Sequence, residues 1–172
     1  MPRLSLSSAL CAFAAAAAFT VPVAAETVQV ELLGFEEVPA NVSHASGSLR
    51  LFINDHAGTI DYELIYENLT ANITQAHIHV AQAGVNGGIT LWLCGTTTTP
   101  TTPGPPGTPT CPAGQNGVVT GTLTAANVVA VPAQIITAGA LDDVIRAIRS
   151  GVAYGNVHTT VLPGGEIRGQ LH

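Results

Sequence analysis

An alternation of apolar and polar residues with a period of two is the feature of this sequence that most constrains its fold. Between residues 60 and 67, apolar side chains occupy positions 60, 62, 64 and 66, while acids occupy positions 61, 63 and 67. Successive side chains of a β-strand point to opposite faces, so this pattern predicts a strand with one buried face. Similar segments, separated by Gly, Pro and Asn, predict further strands at residues 28–33, 47–54, 73–80, 89–94, 118–123, 152–160 and 166–171.

Eight short strands with turn signals between them predict an all-β fold, and we expect a Greek-key-like antiparallel β-sandwich. One short helix is predicted among the strands. Leu141, Val144, Ile145 and Ile148 recur at helical spacing, and Gly151 follows them as a stop signal. We expect this helix to cover one end of the sandwich.

The first 25 residues have the pattern of a signal peptide. Arg3 precedes an apolar run, and small residues that end at Ala25 predict cleavage after that residue. The run is shorter than the ~20 residues that a membrane-spanning helix needs, and no later segment reaches that length, so we expect no membrane span. The sequence therefore predicts a signal peptide at residues 1–25, one domain at residues 26–172, and a secreted or periplasmic location.

The charge balance argues against two classes of partner. The chain contains no lysine, and its five arginines face 11 acids, which gives a net charge of −6. Nucleic-acid binding requires cations that neutralise phosphates, and an anionic membrane surface would repel this chain. An extracytoplasmic protein or a metal ion remains as the expected partner.

The cysteines predict one disulfide. Removal of the signal peptide removes Cys11 and leaves Cys94 and Cys111, an even pair in an oxidising compartment. The segment between them, residues 95–110, consists almost wholly of Thr, Pro and Gly and cannot build a core of its own. We expect a Cys94–Cys111 bond that holds this loop in place.

A pair of histidines on one strand carries the main functional signal. In the strand predicted at residues 73–80, alternation places His77 and His79 on the face opposite the core. His158 takes the corresponding face of the strand at residues 152–160. Three imidazoles can share one metal ion, and copper ranks ahead of zinc because imidazole suits both and copper binds more tightly.

Polar residues on the same faces extend this pattern. Asn156 lies beside His158 on its strand, and Glu166 and Arg168 take the polar face of the last strand, so these three are expected to form a polar network around the histidines. Two readings stay open. These side chains could simply hydrogen-bond one another and fix the packing, or they could bind a metal.

Other candidate residues are assigned structural roles. Trp92, the only tryptophan, is expected in the core. Glu36 and Glu37 are expected at a bend at a strand edge, with a role in divalent-ion binding as the alternative. The remaining histidines of the mature chain are expected to face solvent: His44, His56 and His172.

Four motifs together resemble the CHRD domain, named for chordin and also found in bacterial secreted proteins. In order along the chain they are LGFEEVP at residues 33–39, AHIH at 76–79 followed by AGVNG at 83–87, YGNVHT at 154–159, and GGEIRGQL at 164–171. The second residue of YGNVHT is Gly155, where the family commonly has Val, and the cysteine loop is similar to a local insertion. The resemblance implies an all-β domain that serves as a binding or structural module.

A fainter resemblance is to the copper/zinc superoxide dismutase sandwich. It implies that His77, His79 and His158 would hold copper and that Arg168 would guide an anion. The chain lacks an obvious bridging histidine, a zinc-loop Asp and a matching cysteine arrangement. We therefore expect a CHRD-type module with a possible three-histidine metal site, and a copper-dependent redox enzyme of the dismutase type is the alternative.

Overall fold

The computed structural model describes residues 26–98 and 101–172, so the predicted signal peptide lies outside the described residues. Its main elements are eight strands and one α-helix: β1 (Glu26–Leu33), β2 (Ser46–Asn54), β3 (Thr59–Glu67), β4 (Ile73–Val80), β5 (Ile89–Gly95), β6 (Gly117–Leu123), α1 (Leu141–Arg149), β7 (Ala153–Thr159) and β8 (Ile167–Leu171). Three short 3-10 helices lie between them: Gly34–Glu36, Ala125–Asn127 and Pro132–Gln134. The eight predicted strands and the predicted helix are confirmed.

The strands form an antiparallel sheet in the order β5-β4-β7-β8-β1-β2-β3-β6. Its two four-stranded halves are joined by one residue pair, Leu33 with Arg168, between β1 and β8. The two halves pack against each other. One contact between them is the 2.6 Å hydrogen bond that the Tyr62 hydroxyl on β3 donates to the Leu93 carbonyl on β5. This arrangement confirms the all-β antiparallel sandwich, with β4 and β7 as adjacent strands.

The core contains the apolar faces of both halves. On β3, the positions that alternate in the sequence are all buried, from Ile60 to Tyr66. Helix α1 buries its four apolar residues, Leu141, Val144, Ile145 and Ile148, and contacts β7 and β4. The helix therefore closes the sandwich beside the strands that carry the histidines.

The half that contains β4, β7 and β8 is buried on its outer face as well. All seven residues of β7 are buried. Two irregular segments contact this face: the carbonyls of Gln82 and Val85 accept hydrogen bonds from Arg168 on β8, and the Asn86 amide donates to the Val38 carbonyl of the second segment. The polar side chains of β4 and β7 consequently lie in a covered layer rather than on an open surface.

The Cys94–Cys111 disulfide is present and ties the Thr/Pro/Gly-rich loop to the end of β5. Gly95 donates to the Pro109 carbonyl, and the Thr102 hydroxyl donates to the Thr74 carbonyl on β4. Gly104, at φ +72, approaches Trp92 so closely that a Cβ there would lie 2.7 Å from the indole. The loop thus packs against Trp92 as well as closing the disulfide.

Candidate metal centre

The three predicted histidines meet. β7 pairs with β4 in a register that sets Asn156 opposite His77 and Tyr154 opposite His79, and His158 follows two residues after Asn156. One ring nitrogen from each histidine lies within 4.8 Å of the others. Metal–nitrogen bonds of about 2.0–2.1 Å place tetrahedral ligands about 3.3 Å apart, so shifts of about an ångström would let all three bind one ion.

Two of the histidines are oriented by backbone carbonyls. His79 Nδ1 lies 3.0 Å from the Gly87 carbonyl, and His158 Nδ1 lies 3.0 Å from the Pro163 carbonyl. A carbonyl only accepts hydrogen bonds, so each Nδ1 carries the proton, and the lone pair of the neutral ring is on Nε2. Metal-binding histidines are commonly held by a carbonyl in this way.

The third ring, His77, is fully buried without any hydrogen bond. Its exposure is 0%, and neither Nδ1 nor Nε2 has a partner among the described residues. His158 Nε2 is unpartnered too. Buried polar atoms are nearly always hydrogen-bonded, because each unpaired group costs about 1–3 kcal/mol. These unpaired ring nitrogens therefore destabilise the folded protein when no ligand pairs with them.

Burial keeps the rings neutral. Desolvation, with smaller contributions from the neighbouring His158 and His79, lowers the pKa of His77 to about 2. Desolvation also lowers the pKa of His158 to about 4 and lowers the pKa of His79. Neutral imidazoles are the form that binds metal ions, so the site holds its ligands ready at neutral pH.

Glu37 is a buried carboxyl next to this layer, and burial raises its pKa to about 7. Glu37 as a whole residue is 5% exposed, and its Oε1 has no hydrogen-bond partner among the described residues. The nearby Arg168 guanidinium and the Asn156 amide favour its charged form. The sequence placed Glu37 at a bend and gave no sign of this position, which the Gly34–Glu36 turn creates.

The apo protein should lose stability in acid. Because the folded-state pKa values of His77 and His158 are lowered, the contribution of these rings to stability is fully present above pH 6.5 and is lost as the pH falls. The raised pKa of Glu37 has the opposite effect, since its contribution to stability decreases as the pH rises. The unfolded-state histidines are half protonated at pH 6.5 and almost fully protonated at pH 5. Near pH 5, unfolding therefore takes up close to two protons at His77 and His158 and releases most of one from Glu37. We expect the free energy of unfolding to fall more steeply as the pH decreases below 6.5, reaching at least about 1.4 kcal/mol per pH unit near pH 5.

Urea titrations in the presence of a chelator at pH 6.5, 5.8 and 5.0 measure this slope. Glu37→Gln removes the opposing proton and should steepen the slope to at least about 2.5 kcal/mol per unit near pH 5. A flat profile in the wild type would contradict neutral, buried histidines.

Arg168 holds the segment that covers the histidines. It is 1% exposed, donates to Asn86 Oδ1 at 3.1 Å and to the Val85 carbonyl at 2.9 Å, and lies 3.4 Å from the Tyr154 ring centroid. Tyr154 stacks in turn on His79 with centroids 4.6 Å apart. Arg168 therefore positions neighbouring groups, and its guanidinium does not face an open channel as the anion-guiding role implied by the dismutase resemblance would require.

Asn156 lies in the predicted network, but Glu166 lies in a different one. His79 Nε2 and Asn156 Oδ1 are 3.1 Å apart. The Glu166 carboxylate instead accepts hydrogen bonds from Ser43, Thr70 and Thr159. Glu166 precedes β8, which begins at Ile167, so the alternation along that strand does not determine where the Glu166 side chain points.

Trp92 is half-buried and packs against the site. Its ring centroid is 4.3 Å from that of His77 in an edge-to-face arrangement, while the disulfide loop contacts its other side through Gly104. The expectation of a core position is wrong, because Leu91 and Leu93 take the core face of β5 and leave Trp92 on the other. The other histidines, His44, His56 and His172, are exposed as expected.

Comparison with protein families identifies the chain. The model of the CHRD domain matches residues 28–171. The chain belongs to the CHRD family. The match spans all the strands that build the histidine cluster, and the disulfide of this CHRD domain fits the oxidising environment of an exported protein.

Comparisons with curated proteins and with solved structures gave no match. Among the described residues of this CHRD domain, no helix has the length and apolar character needed to cross a membrane.

Proposed function

We propose that this CHRD domain is an exported module that binds a transition-metal ion, copper in preference to zinc, through His77, His79 and His158. The observation that carries the proposal is that the buried ring nitrogens of His77 and the Nε2 of His158 have no hydrogen-bond partner among the described residues and converge with His79. A bound cation would satisfy the lone pairs of all three neutral rings.

Burial of the rings supports a binding role over catalysis. The three histidines are 0–6% exposed, whereas a catalytic metal keeps an open position for water or substrate. Glu166, the acid that could have assisted a reaction, forms its hydrogen bonds elsewhere. The dismutase-like alternative therefore has no supporting observation beyond the histidines.

Metal content and metal binding test the proposal. We expect protein purified from the extracytoplasmic fraction to contain close to one copper or zinc ion per chain, and the apo protein to take up one Cu²⁺. Because Trp92 contacts His77, bound Cu²⁺ should quench its fluorescence. N-terminal sequencing of the same sample tests cleavage after Ala25.

His79→Ala should abolish this binding, since it removes one of three ligands. His44→Ala is the matched control, because His44 is exposed and is not one of the three proposed ligands. This variant should bind Cu²⁺ like the wild type. A wild-type protein that is isolated without metal and ignores added Cu²⁺ and Zn²⁺ would leave only the hydrogen-bonded packing role for these residues.

A further inference from the structure

The buried Glu37 carboxyl has surroundings that a purely structural role does not explain. It lies against Gly165, where φ is +132 and an added Cβ would collide with the Glu37 carboxyl. The same oxygen has no hydrogen-bond partner among the described residues. Space for a carboxyl is therefore kept at this point although the apo fold gains little from the charge.

Asn156 connects this carboxyl to the histidines. Its amide is near enough to the Glu37 carboxyl to favour the charged form, and its Oδ1 lies 3.1 Å from His79 Nε2. Since His79 Nδ1 donates to the Gly87 carbonyl, Nε2 of the neutral ring needs a donor. Asn156 supplies this donor when its amide group is flipped by 180°, so that the NH₂ group rather than Oδ1 faces His79.

With the NH₂ group on His79, the amide oxygen faces Glu37. A protonated Glu37 then donates to that oxygen, and the chain from Glu37 through Asn156 and His79 to Gly87 is neutral and fully paired. A cation on His79 Nε2 replaces the Asn156 donor. The amide is then free to turn and donate to an ionised Glu37 carboxylate.

We propose that Glu37 is the counter-charge of the histidine site and, through Asn156, balances a divalent cation held by the three rings. This inference rests on the proposed metal binding and assigns Glu37 as a positioning residue rather than a ligand. Three neutral imidazoles supply no charge of their own, and an uncompensated divalent ion is costly in a buried layer.

The groups that face Glu37 fit this role. Arg168 from β8 and Tyr154 from β7 interact with the carboxyl electrostatically, and the three histidines lie beyond Asn156. Arg168 is a fixed cation held by the 82–86 segment, so it cannot adjust when a second cation binds. A pocket of about 230 Å³, lined by Glu37, Pro163 and Gly165 among others, gives the departing proton a path to solvent.

Isothermal titration with Zn²⁺ at pH 7.5 tests the counter-charge. We expect Glu37→Gln to bind Zn²⁺ about 10- to 100-fold more weakly than the wild type, the usual effect of removing a partner next to the ligands. Glu36→Gln is the matched control, because this neighbouring acid is exposed and its removal changes the net charge equally; its affinity should be unchanged.

A proton count separates this role from a merely structural one. At pH 6.5, in buffers of different ionisation enthalpy, the wild type should release close to one proton per Zn²⁺, because the rings are already neutral. Glu37→Gln should release almost none. If that variant fails to fold, Asn156→Leu, which keeps the shape without the amide, should show the same weakened binding.

The outcomes are distinct. A wild type that binds no metal overturns the proposed function, and this inference with it. A wild type that binds Zn²⁺ without proton release, or a folded Glu37→Gln variant with wild-type affinity, overturns the counter-charge alone.

Discussion

His77→Leu should make the apo protein more stable while it removes metal binding. The wild-type ring is 0% exposed, and neither nitrogen has a hydrogen-bond partner among the described residues. Leucine has a similar size and no polar atom to desolvate, so we expect the free energy of unfolding at pH 7 to rise by about 1–3 kcal/mol. Urea denaturation in the presence of a chelator measures this change.

The same variant should show no Cu²⁺ or Zn²⁺ binding at concentrations that saturate the wild type. Opposite effects on stability and binding are characteristic of a residue that is kept for function at a cost to the fold. His56→Leu, at an exposed position of the β2–β3 turn, is the control and should change stability by less than about 0.5 kcal/mol. A marked loss of stability in apo His77→Leu would show that the ring has a structural partner.

Replacing both Cys94 and Cys111 by serine should lower the free energy of unfolding by about 3 kcal/mol. The disulfide joins residues 17 apart in sequence, and a closed loop of this size restricts the unfolded chain by about that amount in the loop-entropy model. The segment it closes is rich in Thr, Pro and Gly and contributes little apolar burial of its own.

Removal of the disulfide should also have an effect at the histidine site. Because Gly104 in this loop packs on Trp92, a loosened loop should expose the indole and shift its emission to longer wavelength. Adding a reductant to the wild type should reproduce both effects, while the double variant should not respond to the reductant. Equal stability of the reduced and oxidised wild type would contradict the stabilising role of the bond.

The prediction of the strands succeeded because the signal is local. β4 has the predicted bounds, 73–80, and α1 begins at Leu141, where the apolar spacing begins. Alternation also assigned His77, His79 and His158 to the face opposite the core. The cysteine pairing needed no geometry, because only two cysteines lie outside the predicted signal peptide.

The residues around the histidine cluster were predicted less completely. Glu166 stands one residue before β8, where alternation no longer fixes direction, and its carboxylate joins Ser43, Thr70 and Thr159. Glu37 has no periodic signal at all. Its place next to Asn156 results from the turn after β1 and from Gly165, which is 128 positions away in the chain and leaves room for the carboxyl.

The sequence by itself determined the strands, the helix, the disulfide, the family and the face on which each histidine lies, because these depend on nearest-neighbour periodicity, cysteine number or motif order. Only the tertiary structure decided that β4 lies beside β7, that Trp92 covers His77, and that Glu37 rather than Glu166 approaches the histidine layer. These facts depend on which distant segments pack together, and a period-two pattern gives a residue its face but not the strand or loop that lies against it.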